Sequence, residues 1–289
     1  MTTPRRTRRE EFERAFYRFR QNKLAVIGLE IIIFIGFITT FAEFITPYPA
    51  DATGALHFAQ RLQPPSLAHP FGTDDAGDDV LTRVIFGGRV DLSAAILAEA
   101  VVLIVGIPLG MIAGYLKGKV GDAIMTTSDI FITIPQLVLA LTAISFFTPS
   151  ITIAILAVSL AGWPWYSRVI EAVVVHVREE KYIEASRMIG KKAHRIIFQD
   201  IFPNITSIVI VKASLDTAFF ILIISALGFL GVGAQPPTPS WGAALGIARA
   251  DLPGVWWTST FPGIFIFIAV LGFTLLGDGL NDALDVRLQ

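Results

Sequence analysis

Apolar runs long enough to cross a bilayer alternate along this chain with short polar stretches. A bilayer core takes about 20 apolar residues as a helix. Six stretches read as spans on that measure: residues 24–45, 92–116, 134–147, 151–170, 206–232 and 261–280. The third is short by itself and is expected to begin earlier, near 123–130. The first is too long for a signal-peptide core and follows too long an arm, so it reads as an uncleaved helix. Residues 46–91 are rich in Pro, Gly and Asp and are placed outside the bilayer. Between the last two spans, Pro236, Pro237, Pro239 and Pro253 rule out one continuous helix. The pattern predicts an all-α integral membrane protein.

Two polar segments carry a helical period of their own. Tyr182, Ala185, Ser186 and Ile189 fall on one helix face, and Gly190 interrupts it. Ala193, Ile196 and Ile197 form a second small stripe, which Pro203 closes. Glu184, Arg187, Lys191, Lys192, His194 and Arg195 remain on the polar sides. A short helix with a thin apolar stripe and a cationic back suits a partner's groove; it also describes a solvated loop resting on the membrane surface. At the other end of the chain, Phe12, Ala15, Phe16 and Phe19 repeat the period among Arg14, Arg18 and Arg20. Residues 1–23 are therefore expected to form an amphipathic arm on the membrane lipid.

Charge then orients the spans. Six crossings leave both termini on one side, and the pieces on that side (1–23, 117–133, 168–205 and the tail) hold eighteen of the 23 Lys and Arg residues. The opposite face holds Arg61, Arg83, Arg89 and Arg249, while Lys212 lies within a span. Positive charge marks the cytoplasmic side, so the protein reads as N-in and C-in with the 168–205 loop in the cytoplasm. The 289 residues are 53% hydrophobic and 16% charged, with a mean hydropathy of +0.63. A net charge of −1 gives no reason to expect a nucleic-acid partner, and the absence of cysteine excludes disulfides, thiolate chemistry and Cys-ligated zinc.

At this point particular residues carry a resemblance. Glu184-Ala185-Ser186, then Gly190 and Pro203 at intact spacing, resembles the EAA loop of ABC importer permeases. Ser186 replaces that pattern's last alanine, Phe202 its leucine, and Asp200 stands where an aliphatic residue is usual. His69-Pro70-Phe71-Gly72-Thr73-Asp74, Gly77 and Asp79-Val80-Leu81 resemble the external segment of the dipeptide/oligopeptide/nickel permease subgroup, although Asp78 sits where that subgroup often has Arg. Gly228-Phe229-Leu230-Gly231-Val232-Gly233, Gln235-Pro236-Pro237, Pro239-Ser240-Trp241-Gly242 and Gly277-Asp278-Gly279-Leu280 resemble its last third.

The resemblance implies a type I ABC importer permease over residues 24–289, in a prokaryotic inner membrane. It implies a second homologous permease, two ATP-binding subunits and an external solute-binding protein as partners. Peptides are the implied cargo, with nickel and oligosaccharides as alternatives. Glu184, Ala185, Ser186, Arg187, Gly190 and Pro203 would then couple the chain to its ATPase subunits. ATP and magnesium would belong to those subunits, because the chain has no G-x-x-x-x-G-K-[ST] loop. The chain itself is expected to be no enzyme and to bind no cofactor.

Other groups are weighed on their chemistry. His69 with Asp74, Asp75, Asp78 and Asp79 has the composition of a metal cluster, but no second histidine at ligand spacing, and Asp with Gly also marks turns. No metal site is expected there. Gly106, Gly110 and Gly114 permit close helix approach, at a subunit interface or within the bundle. Lys212 and Asp216, at i and i+4, are expected to pair near the cytoplasmic end, with a role in the pathway as the alternative. Glu30 and Glu99 are expected to face the bundle or a wet cavity, and Trp241, Trp256 and Trp257 to form an interfacial belt. An ion-coupled secondary transporter is the competing class; it calls for internal repeats and a broken helix around an ion site, and neither is evident.

Overall fold

The computed structural model describes residues 16–284. The expected N-terminal arm lies mostly outside these residues; its described part is helical over 16–21. Helix α1 (Lys23–Thr40) is capped by Asn22, whose Oδ1 accepts the N–H groups of Leu24 and Ala25. A break at Phe41 precedes a short helix α2 (Ala42–Ile45). Helix α3 (Val80–Leu116) begins twelve residues before the expected span, because Asp79 caps it by accepting from Thr82 N. Helix α3 therefore starts within the 46–91 segment that was expected to be external.

The third apolar stretch does begin earlier, in a helix that covers most of 117–133. Helix α4 (Gly118–Ile132) meets helix α5 (Gln136–Ile144) at 86°. Pro135, which cannot donate to a preceding turn, stands at the bend. The third apolar stretch is thus a bent pair of helices. Helix α6 (Ile151–Val177) runs past the expected end of span four, and the cytoplasmic loop holds α7 (Lys181–Met188) and α8 (Ala193–Arg195).

Pro203 does not close α8. A π-turn over Ile196–Ile201 carries the chain directly into α9 (Phe202–Phe229), where Pro203 occupies the first turn and its missing N–H costs nothing. The fifth helical stretch therefore runs Ala193–Phe229 and starts inside the loop. Helix α10 (Trp241–Ala248) fills the proline-rich connection, and α11 (Trp257–Leu284) completes the bundle. Five of these stretches are long and apolar enough to span, and the bent α4–α5 pair meets the same measure when taken together. Among the described residues no strand forms beyond one isolated bridge, Thr73 to Asp79.

The α3–α6 contact is the largest in the bundle. A Cβ on Gly106, Gly110 or Gly114 would lie within 2.9 Å of Tyr166, Ser167 and Ile170, or Glu171 and Val174. The glycine stripe thus packs within this chain, on α6. Tyr166 is fully buried beside it, and its hydroxyl donates to Val209 O on α9 at 2.8 Å.

Of the three tryptophans expected in an aromatic belt, Trp256 is 49% exposed. Trp241 and Trp257 are buried and donate from Nε1 to Val84 O (2.7 Å) and Thr73 O (3.0 Å). An indole N–H that finds a carbonyl has no need of the headgroup layer. Glu30 is exposed on the outside of α1 rather than facing the bundle.

Candidate functional site: cytoplasmic loop, external brace and mid-span cluster

The cytoplasmic loop is built around the end of α7. Gly190 adopts φ +75°, its N–H donates to Arg187 O (2.9 Å), and Lys191 N donates to Ser186 O (3.1 Å). These two bonds form a Schellman stop, in which glycine supplies the left-handed residue. Lys191 then clamps Asp200 through both carboxylate oxygens at 2.7 and 2.8 Å, which explains a carboxylate at that position. Arg187 lies 5.3 Å over the Tyr115 ring and donates to Arg178 O, while Arg178 donates to Tyr115 O at 2.7 Å. The helix is therefore fastened to the cytoplasmic ends of α3 and α6.

One side chain of α7, Ile183, is fully buried, in one cluster with Ile196, Ile197 and Ile201. The stripe read from the sequence points the other way. Tyr182 and Ala185 are exposed, Ser186 is half-buried, and Met188 and Ile189 stand 83% and 81% exposed. Glu184 is also exposed, and its side chain has no partner among the described residues. The loop thus presents an apolar tip on a stiff helix.

The external segment is a brace for α3. Asp79 Oδ1 bonds His69 Nδ1 (3.0 Å), Asp79 Oδ2 accepts from Thr82 N and Oγ1 (2.8 Å each), and Asp79 N donates to Asp51 (2.7 Å). Arg83 bridges Asp74 (3.1 Å) and Asp78 (3.0 Å), which supplies the local charge pairing that Asp78 needs. Phe71 stacks on Phe261 at 3.8 Å, tying the segment to α11. His69, Thr73, Asp74 and Asp79 are thus brought together, with Pro70 and Gly72 as the turns between them.

Burial raises the Asp78 carboxyl to about 6, with Asp74 and Asp51 adding to the rise against Arg83. Asp74 is raised by burial as well. A carboxyl that binds protons more tightly when folded loses stability as pH rises from about 4 through 6. At roughly 1.4 kcal/mol per unit, Asp78 disfavours the folded segment at neutral pH by about 2–3 kcal/mol. The melting temperature of the purified protein is therefore expected to rise as pH falls from 7 to 5. Asp78→Asn should flatten that rise; a slope identical to wild type would refute the assignment.

Sequence reasoning passed over Asp91. It is fully buried and accepts from Ser240 Oγ (2.8 Å) and Trp241 N (2.7 Å), which fixes the start of α10 against α3. Its partners lie 150 residues away, so no local pattern announces it.

Lys212 and Asp216 pair at 2.8 Å, as their spacing predicts. Lys212 lies at the middle of the 37-residue Ala193–Phe229 stretch, with its ammonium 5.1 Å over the Tyr166 ring. The pair lines a cavity of about 330 Å³ together with Gln136, Gly162, Trp165 and Phe220. A second cavity of about 300 Å³, bounded by Val173, Leu215 and Asn281, shares the same pair. Glu99, at the middle of α3, is buried nearby.

A bundle of apolar helices, one pair of them bent, with a charged pair on a cavity wall and a helical polar loop, has the build of a multi-pass membrane protein. Residues 106–289 match the family described as binding-protein-dependent transport system inner membrane component, and residues 11–65 match the N-terminal transmembrane domain of oligopeptide transport permease C. The chain belongs to the binding-protein-dependent transport system inner membrane component family and is a multi-pass inner-membrane protein.

It is 43% identical over 279 residues to the dipeptide transport system permease protein DppC of Escherichia coli strain K12, covering 94% of this chain and 91% of that one. Identity to the DppC of Alkalihalophilus pseudofirmus is 40% over 275 residues, 95% and 90% of the two chains. The glutathione transport system permease protein GsiD of Pectobacterium atrosepticum is 34% identical, covering 98% and 93%. In fold, the chain is similar to a chain of the inward-facing MetNI methionine ABC transporter, with a TM-score of 0.59 at 18% identity over 68% of this chain and 93% of that one. The type I ABC importer permease fold expected from the sequence is the fold observed.

Proposed function

We propose that this chain is the permease subunit of an ATP-driven importer of di- and oligopeptides. It works with a second homologous permease, two ATP-binding subunits and an external solute-binding protein. ATP and magnesium are held by the ATP-binding subunits, and this chain is not itself an enzyme. The dipeptide and glutathione names of its relatives support a peptide cargo.

The observation that carries the coupling role is the exposed tip of α7. Large apolar side chains left open to water on an otherwise polar loop mark a contact surface. Glu184, Ala185 and Ile189 are exposed on the outer side of the helix, and Ser186 is half-buried at its edge. Arg187 and the Lys191–Asp200 clamp join that helix to α3, α6 and α9, so a push on the tip reaches the spans. Pro203 starts the helix that carries the motion into the membrane.

The test is co-purification in mild detergent. The double variant Met188→Asp, Ile189→Asp should retain the second permease and lose the ATP-binding subunits. A single charge buried in an interface costs roughly 2–5 kcal/mol, a loss of about thirtyfold or more in affinity. ATP-binding subunits recovered at wild-type stoichiometry would overturn the coupling assignment.

A further inference from the structure

Glu99 has no partner in a place where partners are obligatory. It is 4% exposed at the middle of a 37-residue apolar helix, and neither carboxylate oxygen accepts a hydrogen bond. A charged side chain at mid-span costs roughly 2.5–3.5 kcal/mol on insertion scales, and such residues mark pathways. The nearest cation is Lys212, within electrostatic range, but Asp216 already holds its ammonium at 2.8 and 3.1 Å. The cluster has two carboxylates and one ammonium. Glu99 is the carboxyl left without a partner.

The space for a partner is the cavity of about 330 Å³ on which Lys212 and Asp216 open. Gln136, also on its wall, has a side-chain Nε2 that is buried and unbonded, so a hydrogen-bond donor is available there. Trp165, Phe219 and Phe220 supply apolar and aromatic surface. Gly162 of the cavity wall packs against Val102, one turn along α3 from Glu99. In a low-dielectric interior a charge behind such a wall is strongly felt within it.

We propose that this cluster is a cargo site within the translocation path that selects the free α-ammonium group of a peptide. Glu99 and Asp216 supply the negative field, Lys212 meets the peptide's carboxylate when Asp216 turns to the ammonium, and Gln136 donates to a peptide carbonyl. This rests on the peptide-importer reading above and goes beyond it by assigning recognition to the permease itself.

The test uses the intact transporter in proteoliposomes with its binding protein, measuring uptake of radiolabelled glycyl-leucine and ATP hydrolysis together. Glu99→Gln should lower uptake about tenfold, the effect of losing roughly 1.4 kcal/mol, while stimulated ATP hydrolysis continues. Glu99→Asp should restore most of the uptake. With the binding protein omitted, N-acetyl-glycyl-leucine should compete for the permease complex far more weakly than glycyl-leucine in wild type, and equally in Glu99→Gln. Unchanged uptake in Glu99→Gln would overturn the proposal, and so would uptake and hydrolysis falling in step, which marks a structural role. Loss of wild-type uptake when sodium and potassium are replaced by choline would overturn the proposal by assigning the site to an inorganic cation. A wild-type transporter that hydrolyses ATP but carries no peptide would remove the peptide reading, and this site with it.

Discussion

Gly190→Pro will abolish uptake while the protein still inserts and accumulates in the membrane. The native residue sits at φ +75°, and proline is fixed near −65°. The substitution also deletes the N–H that donates to Arg187 O, one of the two bonds that stop α7. Nothing lies within 4 Å of a Cβ at this position, so the whole effect is on the backbone. The last turn of α7 would unwind, and with it the orientation of Met188 and Ile189. A penalty of about 3 kcal/mol corresponds to roughly a hundredfold loss of the coupled state. Gly190→Asn, which tolerates the left-handed region, should keep most of the uptake. Uptake assays on both variants, beside immunoblots of the membrane fraction, check the result. Equal activity of the proline and asparagine variants would show that the stop is dispensable.

Gly110→Leu acts on assembly instead. Its Cβ alone would lie 2.5 Å from Ser167 O and 2.8 Å from Ile170 Cβ, so α3 and α6 must move apart. Overpacking a tight contact typically costs 1–3 kcal/mol, and here a backbone carbonyl stands in the way. Separation would also disturb Tyr166 and its bond to Val209, which links the pair to α9. The expected result is a protein that fails to accumulate in the membrane, with Gly110→Ala accumulating at an intermediate level. Normal accumulation and melting behaviour of the leucine variant would mean that the stripe is not a packing seam.

The features legible in the sequence were those set by neighbours along the chain. Lys212 and Asp216 pair as their i, i+4 spacing requires, and Gly190 ends a helix where the period stopped. The stripe through Tyr182, Ala185 and Ile189 was visible, but its direction was not. Which face turned inward depended on Ile183 meeting Ile196, Ile197 and Ile201 of the following turn. Span edges slipped for a related reason. Asp79 and Asp91 look like external polar residues until Thr82, Ser240 and Trp241 satisfy them; the helix then starts at the first and runs through the second.

The sequence by itself determined that this is a six-crossing membrane protein with a cytoplasmic loop of defined helical period. An apolar run of bilayer length must satisfy its own backbone as a helix whatever surrounds it, and positive charge fixes its side. Only the tertiary structure decided which polar groups find partners. The 86° break, the Asp91 brace and the unpaired Glu99 beside a cavity follow from helices far apart in sequence. In a medium without water, a polar side chain is structural or functional according to what another helix brings to it.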